Sequence, residues 1–401
     1  MQTNEGDHLI HTHKMRAYIV TKDILNVRSS ASDQNDDNFV GELLKGEIVY
    51  LKDEEIIGEV PKGGTSNIWK ADSNNNLVAI EGVRPMNYEE KKQAFIKNPD
   101  CAKFIDLNDK TNESKWKVNW GFVDLEIWKI WKAYDTMGEG IKVAVFDSGL
   151  EYDHPDFKGK NDTIYYNAFS DSTEKSACLD NSSSKHGTEC TAILASQGKT
   201  FYGVAPSVTL IIIKITNPSG SRKTIGILKG LEKAIELGVD IISMSLFLPK
   251  DANYFKIYDL LQIAYSQNIT ICAAAGNSGY LQDDLPAALP ECISIGGINK
   301  QHLRSRASNQ SETLCTVAPS EDLRKFFGNE LQEGTSFSTP LVAGVIALIK
   351  SCAKKKNRLI SNKELVDAIR FSSDKKISNY NPIEHGYGII DPKALFNILS
   401  L

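Results

Sequence analysis

The chain has 401 residues, 41% of them hydrophobic and 24% charged, and its 46 Lys and Arg against 51 Asp and Glu leave a formal net charge of −5. Those fractions sit near the globular norm and exclude wholesale disorder, collagen-like repeats and coiled coil. The mild acidity argues against nucleic acid or an anionic membrane as the main partner, and no unbroken apolar run is long enough to span a bilayer.

In chain order, three textures follow one another, within the roughly two to four domains that this length allows. Residues 1–84 carry short strand-like runs, AYIV at 17–20, EIVYLKD at 47–53 and LVAIEGV at 77–83, separated by the turn clusters SSASDQNDDN, PKGG and DSNNN. That spacing predicts a small all-β domain. Its first 30 residues are charged throughout, so no secretory leader is expected. His8, His11 and His13 read as a solvated start rather than a metal tract. Residues 85–115 are polar and charged and read as a linker.

From residue 116 to 401 the pattern changes. IKVAVF at 141–146, VTLIII at 208–213, VDIISM at 239–244 and ITICAA at 269–274 are continuous apolar runs rich in β-branched residues, as buried parallel strands are. Helical segments lie between and after them. TIGILKGLEKAIELG puts Leu228, Leu231 and Ile235 on one face and ends at Gly238. Thr339-Pro340 is read as the opening of a helix with proline in its first turn. Ser361 to Glu364 is a capping box, with Leu365, Ala368 and Ile369 facing inward. Alternating strands and helices predict an α/β domain with a mostly parallel sheet. The seven cysteines, Cys101, Cys178, Cys190, Cys272, Cys292, Cys315 and Cys352, form no C-x-x-C pair. They read as free, largely buried thiols, which points to a reduced, cytoplasmic setting. Trp116, Trp120, Trp128 and Trp131 read as packing of the entry segment.

Four segments carry reactive side chains where a strand or loop meets a helix. VAVFDSGLEYDHPDF presents Asp147, KHGTECTAILA presents His186, AAAGNSG presents Asn277 and EGTSFSTPLVAGVIALI presents Ser336. A serine hydroxyl needs an imidazole to take its proton. The imidazole needs a buried carboxylate to hold its tautomer. The oxyanion of a tetrahedral intermediate needs a donor, which a side-chain amide supplies. The four residues meet these needs by type, though spacing alone does not make them converge.

The order Asp, His, Asn, Ser and the words around these residues resemble the subtilisin-like serine proteases (subtilases) over about residues 116–397. GVAP at 203–206 and Gly386-Tyr387-Gly388-Ile389-Ile390-Asp391 belong to the same resemblance. It implies a three-layer fold around the parallel sheet, with Ser336 as nucleophile, His186 as general base and acid, Asp147 as orienting carboxylate and Asn277 as oxyanion donor. It also implies that substrate lies as an added strand between Ser219-Gly220-Ser221 and Ser245-Leu246-Phe247, next to Ala274-Ala275-Gly276. Phe247, Leu248 and Arg222 stand where the family commonly has glycine, which points to a narrower substrate range. Glu189 stands where many members carry a second histidine and is not assigned a catalytic role. Asp153, His154 and Asp156 are read as part of the loop after the catalytic strand rather than as a metal site.

In the first domain, Leu25-Asn26-Val27-Arg28-Ser29-Ser30 and the later Gly41-Glu42-Leu43-Leu44-Lys45-Gly46-Glu47-Ile48-Val49 resemble a bacterial SH3-like domain. The resemblance implies a module that binds a partner protein or peptide. The resulting expectation is a cytoplasmic serine endopeptidase that works through an acyl-enzyme on Ser336, with residues 1–115 choosing partners or controlling access. Its substrate is a peptide or protein. It needs no cofactor, and structural calcium is left open because a complete ligand loop is not matched. The rivals are a catalytically silent subtilase scaffold and a cell-wall-directed protease targeted by the SH3-like region. The complete set of four reactive residues argues against the first, and the lack of a leader against the second.

Overall fold

The computed structural model describes residues 119–401 apart from 199, 217–223, 249–252, 329, 374–376 and 378, together with the backbone of eight strands between residues 15 and 85. Ser219, Gly220, Ser221, Arg222, Trp116 and the N-terminal histidines lie outside the described residues. The chain divides into two compact units, Met1–Trp116 and Lys117–Leu401. The eight strands of the first unit run from Met15–Val20 to Val83–Pro85 and form a three-stranded and a five-stranded antiparallel sheet.

The second unit begins with two short helices, α1 (Trp120–Asp124) and α2 (Ile127–Tyr134). Trp128 and Trp131 are buried, and the Trp131 indole donates to the Val204 carbonyl at 2.9 Å. The Trp120 indole donates to the Glu321 carbonyl at 2.7 Å. A seven-stranded parallel sheet follows, built from β1 (Lys142–Asp147), β2 (Ile164–Asn167), β3 (Thr209–Lys214), β4 (Ile241–Met244), β5 (Thr270–Ala274), β6 (Cys292–Ile298) and β7 (Thr316–Pro319). The order across the sheet is β2-β3-β1-β4-β5-β6-β7. All six pairings are parallel, with Asp147 opposite Lys214 and Phe146 opposite Met244. Both faces are covered, which is why the strands read as unbroken apolar runs rather than alternating ones.

One face is covered by α4 (Thr224–Glu236) and α5 (Tyr254–Ser266), with Phe146, Ile213, Leu231, Met244 and Leu261 in a shared core. The other carries α3 (His186–Ala195) and the long α6 (Thr335–Lys355), which packs against β4 to β7 and against α3. α7 (Asn362–Ser372) follows, and Ser361 caps it by accepting from the Glu364 amide at 3.1 Å. The late Gly-Tyr-Gly segment returns to β7 through Ile390 N–H to the Val317 carbonyl at 3.0 Å.

One expectation needs correction. The helix assigned to Thr339-Pro340 begins at Thr335, and Pro340 lies inside it. Five residues of this helix, Thr335 to Thr339, precede the proline, and what the proline removes is the bond to the carbonyl four residues back, that of Ser336. The same helix is long and apolar enough to cross a membrane, and in the folded chain it is buried inside the protein as a core helix.

The shared core sets a measurable asymmetry. Leu231 is fully buried, and Leu231→Ala is expected to cost about 2–5 kcal/mol in urea unfolding. Phe371 is 75% exposed, and Phe371→Ala is expected to stay within about 0.5 kcal/mol of the parent.

Candidate active site

The carboxyl ends of the parallel strands meet the amino ends of α3 and α6, the place where open α/β sheets hold their ligands. Asp147 is the last residue of β1 and is almost fully buried. Its Oδ1 accepts the Ser148 amide at 2.8 Å, and the Nδ1 of His186 stands 2.8 Å from both carboxylate oxygens. His186 opens α3. Two contacts fix that helix end from outside: Ser148 Oγ accepts the Gly187 amide at 2.9 Å, and the buried Asp180 accepts the Thr188 amide at 3.0 Å and its hydroxyl at 2.9 Å. Two of the free N–H groups of a helix start are thereby satisfied. The neighbouring cation, Lys214, donates to the Leu179 carbonyl at 2.5 Å and to Asn181 Oδ1 at 2.8 Å, so its charge is tied to that loop.

Ser336 is the second residue of α6. Pro340 has no N–H to give the Ser336 carbonyl. That carbonyl accepts instead from Ser245 Oγ at 2.7 Å and from Cys190 Sγ at 3.3 Å. Gly334, before the helix, has φ +136, a conformation that favours glycine. Asn277 follows β5, and its Oδ1 accepts both the Thr335 amide at 2.9 Å and the Thr335 hydroxyl at 3.0 Å. An amide N–H can only point at an acceptor, so the side chain's orientation is settled and its Nδ2 end is left for the cavity.

One open cavity of about 500 Å³ is lined by His186, Asn277 and Ser336, and also by Ser245, Leu246, Phe247, Ala274 and Gly276. Asp147 lies behind His186, and Ala275 is buried behind the wall, its amide bonded to the Ile295 carbonyl at 2.9 Å. Phe247 is 59% exposed at this cavity, whereas Leu248 is buried. Ser278, Gln282, Asp284 and Thr335 line it as well and were not singled out from the sequence. Gln282-Asp283-Asp284 is legible there as a polar loop, but no local pattern places it at the cavity. Long-range contact does so, including the Leu248 amide on the Leu285 carbonyl at 2.6 Å.

Burial opposes a charged His186, but the adjoining Asp147 carboxylate outweighs it and holds the imidazole pKa well above its ordinary 6.5. Burial pushes the Cys190 thiol up, which keeps it protonated near neutral pH. Asp147, His186 and Cys190 offer ligand atoms within 4.8 Å of one another, spacing that a metal ion could use, and each already takes part in a hydrogen bond. Glu189 is buried and accepts from the Phe326 amide at 2.6 Å, the Phe327 amide at 3.2 Å and Gln332 Nε2 at 3.1 Å. It therefore ties α3 to the hairpin of β8 (Leu323–Arg324) and β9 (Leu331–Gln332) that precedes Ser336. Asp156 accepts the Thr200 amide at 2.7 Å, and Asp153 pairs with Lys175 at 3.8 Å. His302 pairs with Asp124 at 2.9 Å, and His385 is buried.

Comparison with known proteins places this geometry among relatives. The model of the subtilase family matches residues 138–389. An intracellular serine protease of Paenibacillus polymyxa is 37% identical over 228 residues, which cover 54% of this chain and 69% of that one. The major intracellular serine protease of Bacillus subtilis (strain 168) is 32% identical over 255 residues, or 60% of this chain and 78% of that one. Among solved structures, the prenylagaramide maturation protease PagA matches with a TM-score of 0.57 at 25% identity, covering 68% of this chain and 98% of its own.

The His186–Asp147 contact predicts a titration. His186 followed by NMR is expected to lose its proton well above the ordinary histidine range, and Asp147→Asn is expected to bring that pKa down. Because the folded pKa is the higher one, the pair's contribution to stability is complete below the unfolded histidine pKa and fades as pH rises through the folded value.

Proposed function

The chain belongs to the subtilase family and is a serine endopeptidase, and on that premise we propose that Asp147, His186, Ser336 and Asn277 are its catalytic residues. The observation that carries this assignment is the 2.8 Å contact of Asp147 with His186 beside a cavity lined by His186, Ser336 and Asn277. Ser336 Oγ attacks the scissile carbonyl while His186 Nε2 takes the hydroxyl proton. Negative charge then develops on the carbonyl oxygen. Asn277 Nδ2 donates to it, and so does the Ser336 backbone N–H, which lies in the first turn of α6 where no intrahelical acceptor exists. His186 passes the proton to the leaving amine, and the bond to nitrogen breaks to leave an acyl-enzyme. Water, with His186 again as base, releases the new carboxylate. Asp147 keeps the proton on Nδ1 and stabilises the imidazolium. No step calls for a cofactor.

We place the enzyme in the cytoplasm. Two of the matched relatives are named intracellular proteases, and six free cysteines among the described residues suit a reducing compartment. The exposed Phe247 ring at the cavity supports a restricted substrate range. Ser219, Gly220 and Ser221 are proposed as the second edge along which the substrate strand pairs, with Ser245, Leu246 and Phe247 as the first. Residues 1–115 are proposed as an SH3-like module with its linker. The words at Leu25–Arg28 and Gly41–Val49 and the antiparallel strands around them support that reading. A silent scaffold or a cell-wall-directed protease is not favoured beside relatives that are named intracellular serine proteases.

A serine-reactive fluorophosphonate is expected to label the full chain and to leave Ser336→Ala unlabelled; equal labelling of both would remove Ser336 from the reaction. Asn277→Ala is expected to lower kcat by about 10²–10³-fold with little change in KM, the usual cost of one oxyanion donor. A chain begun at Lys115 is expected to differ from the full chain in labelling rate or peptide preference. Identical behaviour in both would show that residues 1–114 neither gate nor select.

A further inference from the structure

The cavity beside Ser336 carries one feature that the catalytic steps leave unused. Among the described residues, Asp284 is the sole Asp, Glu, Lys or Arg in its lining. The carboxylate lies directly under the backbone of Gly276, where φ is +108 and a Cβ would come within 2.2 Å of Asp284 Oδ2. Only glycine lets the strand pass so close. Two neutral amides orient the carboxylate: Gln282 Nε2 donates to Oδ1 at 2.6 Å and Asn309 Nδ2 donates to Oδ2 at 3.1 Å. Neither cancels the charge, and a carboxylate has about four acceptor sites. Among the described residues no Lys, Arg or His is paired with Asp284.

Apart from His186 at the reacting end, the rest of the described lining is apolar or uncharged. Leu246 and Ala274 are buried in its walls, Phe247 stands at its edge, and Ser336 and Asn277 lie at the reacting end. The walls are held around the acid from both sides, because the Leu248 amide bonds the Leu285 carbonyl at 2.6 Å and Asn309 Nδ2 also donates to the Ala275 carbonyl at 3.0 Å. A half-buried carboxylate without a cation is unfavourable, and a ligand that brings the cation relieves it. Long basic side chains suit such a pocket, with methylenes against the walls and the charged head beyond them.

We infer that this pocket receives a lysine or arginine side chain of the substrate, with Asp284 as its counter-ion, so that the enzyme cuts after basic residues. The inference rests on the peptidase reading above and supplies its substrate class. Asp284 acts as a specificity-determining residue and takes no part in bond making. An arginine offers two parallel N–H donors to the free acceptor sites of the carboxylate, and a lysine offers a single ammonium. An acidic side chain entering the same pocket meets like charge, and a leucine or phenylalanine leaves the carboxylate without its cation.

The test uses the full chain and peptides that differ only in the residue before the scissile bond: Arg, Lys, Leu, Phe or Glu. Values of kcat/KM for Arg and Lys are expected to exceed those for Leu and Phe by about 10- to 100-fold, the usual value of a charge-assisted hydrogen bond. The advantage is expected to shrink as salt is raised, and the Glu peptide is expected to resist cleavage. Asp284→Asn, with its fold verified by circular dichroism, is expected to bring the basic-to-neutral ratio towards one. Wild-type enzyme that cleaves Leu or Phe as fast as Arg overturns the inference while leaving the peptidase reading intact. So does a ratio that Asp284→Asn leaves unchanged. If no peptide is cut and no fluorophosphonate adds to Ser336, the peptidase reading itself fails and the inference with it.

Discussion

The carbonyl oxygen of Ser336 is the atom on which the arrangement turns. Within an α-helix it would accept from the residue four positions on, but that residue is Pro340. A buried carbonyl left without a donor costs about 1–3 kcal/mol. Here Ser245 Oγ and Cys190 Sγ donate to it, one from the segment after β4 and the other from α3. A single missing N–H thus joins the serine helix, the histidine helix and one wall of the substrate cavity. The rest of α6 is buried against the sheet, so its first turn has little freedom to follow any other geometry.

Electrostatics in this unit follows one pattern: charges that the core cannot avoid are held by backbone groups. Asp180 holds the start of α3, and Glu189 holds the hairpin before Ser336. Lys160 donates to the Pro206 and Val208 carbonyls, both at 2.8 Å, and burial brings its pKa down to about 8. Lys350 donates to the Asp240 and Asn268 carbonyls at 3.1 and 3.2 Å, and burial likewise brings it to about 8. Hydrogen bonds of this kind limit the desolvation cost of a buried charge without creating a reactive group. Asp147 differs, because part of its hydrogen bonding goes to a side chain that can itself carry charge. That is why His186, out of these groups, has its proton affinity raised by a partner against the pull of burial.

The sequence was most legible where the physics is local or periodic. Parallel strands buried on both faces must be apolar throughout, and IKVAVF, VTLIII, VDIISM and ITICAA showed it. The capping box at Ser361 involves neighbours three residues apart and was equally plain. The start of α6 is less legible, because proline is commonest in a helix's first turn and so points to an opening at Thr339, later than the true one. Its true start is set by Asn277 and Ser245, which are distant in sequence and close in space. The roles of Asp147, His186, Asn277 and Ser336 came from resemblance. Chemistry explains why these residue types are needed but does not bring them together. Asp284 is not legible in the sequence for the same reason, since its place depends on Asn309, Gly276 and Leu248 meeting around one loop.

This division between local and non-local determinants matches a division of labour. The groups that move protons sit at the ends of β1, α3 and α6, whose positions are fixed by the core. The groups that face a substrate side chain sit on the segments around Leu246 to Leu248 and Gln282 to Leu285, which are fastened to each other by one backbone bond. A substitution in those segments can change the size or charge of the pocket while the Asp147–His186 contact, made between the ends of β1 and α3, is kept. Catalysis and choice of substrate are therefore separable in this fold. The acid at Asp284 and the ring at Phe247 belong to the part that can vary while the chemistry stays the same.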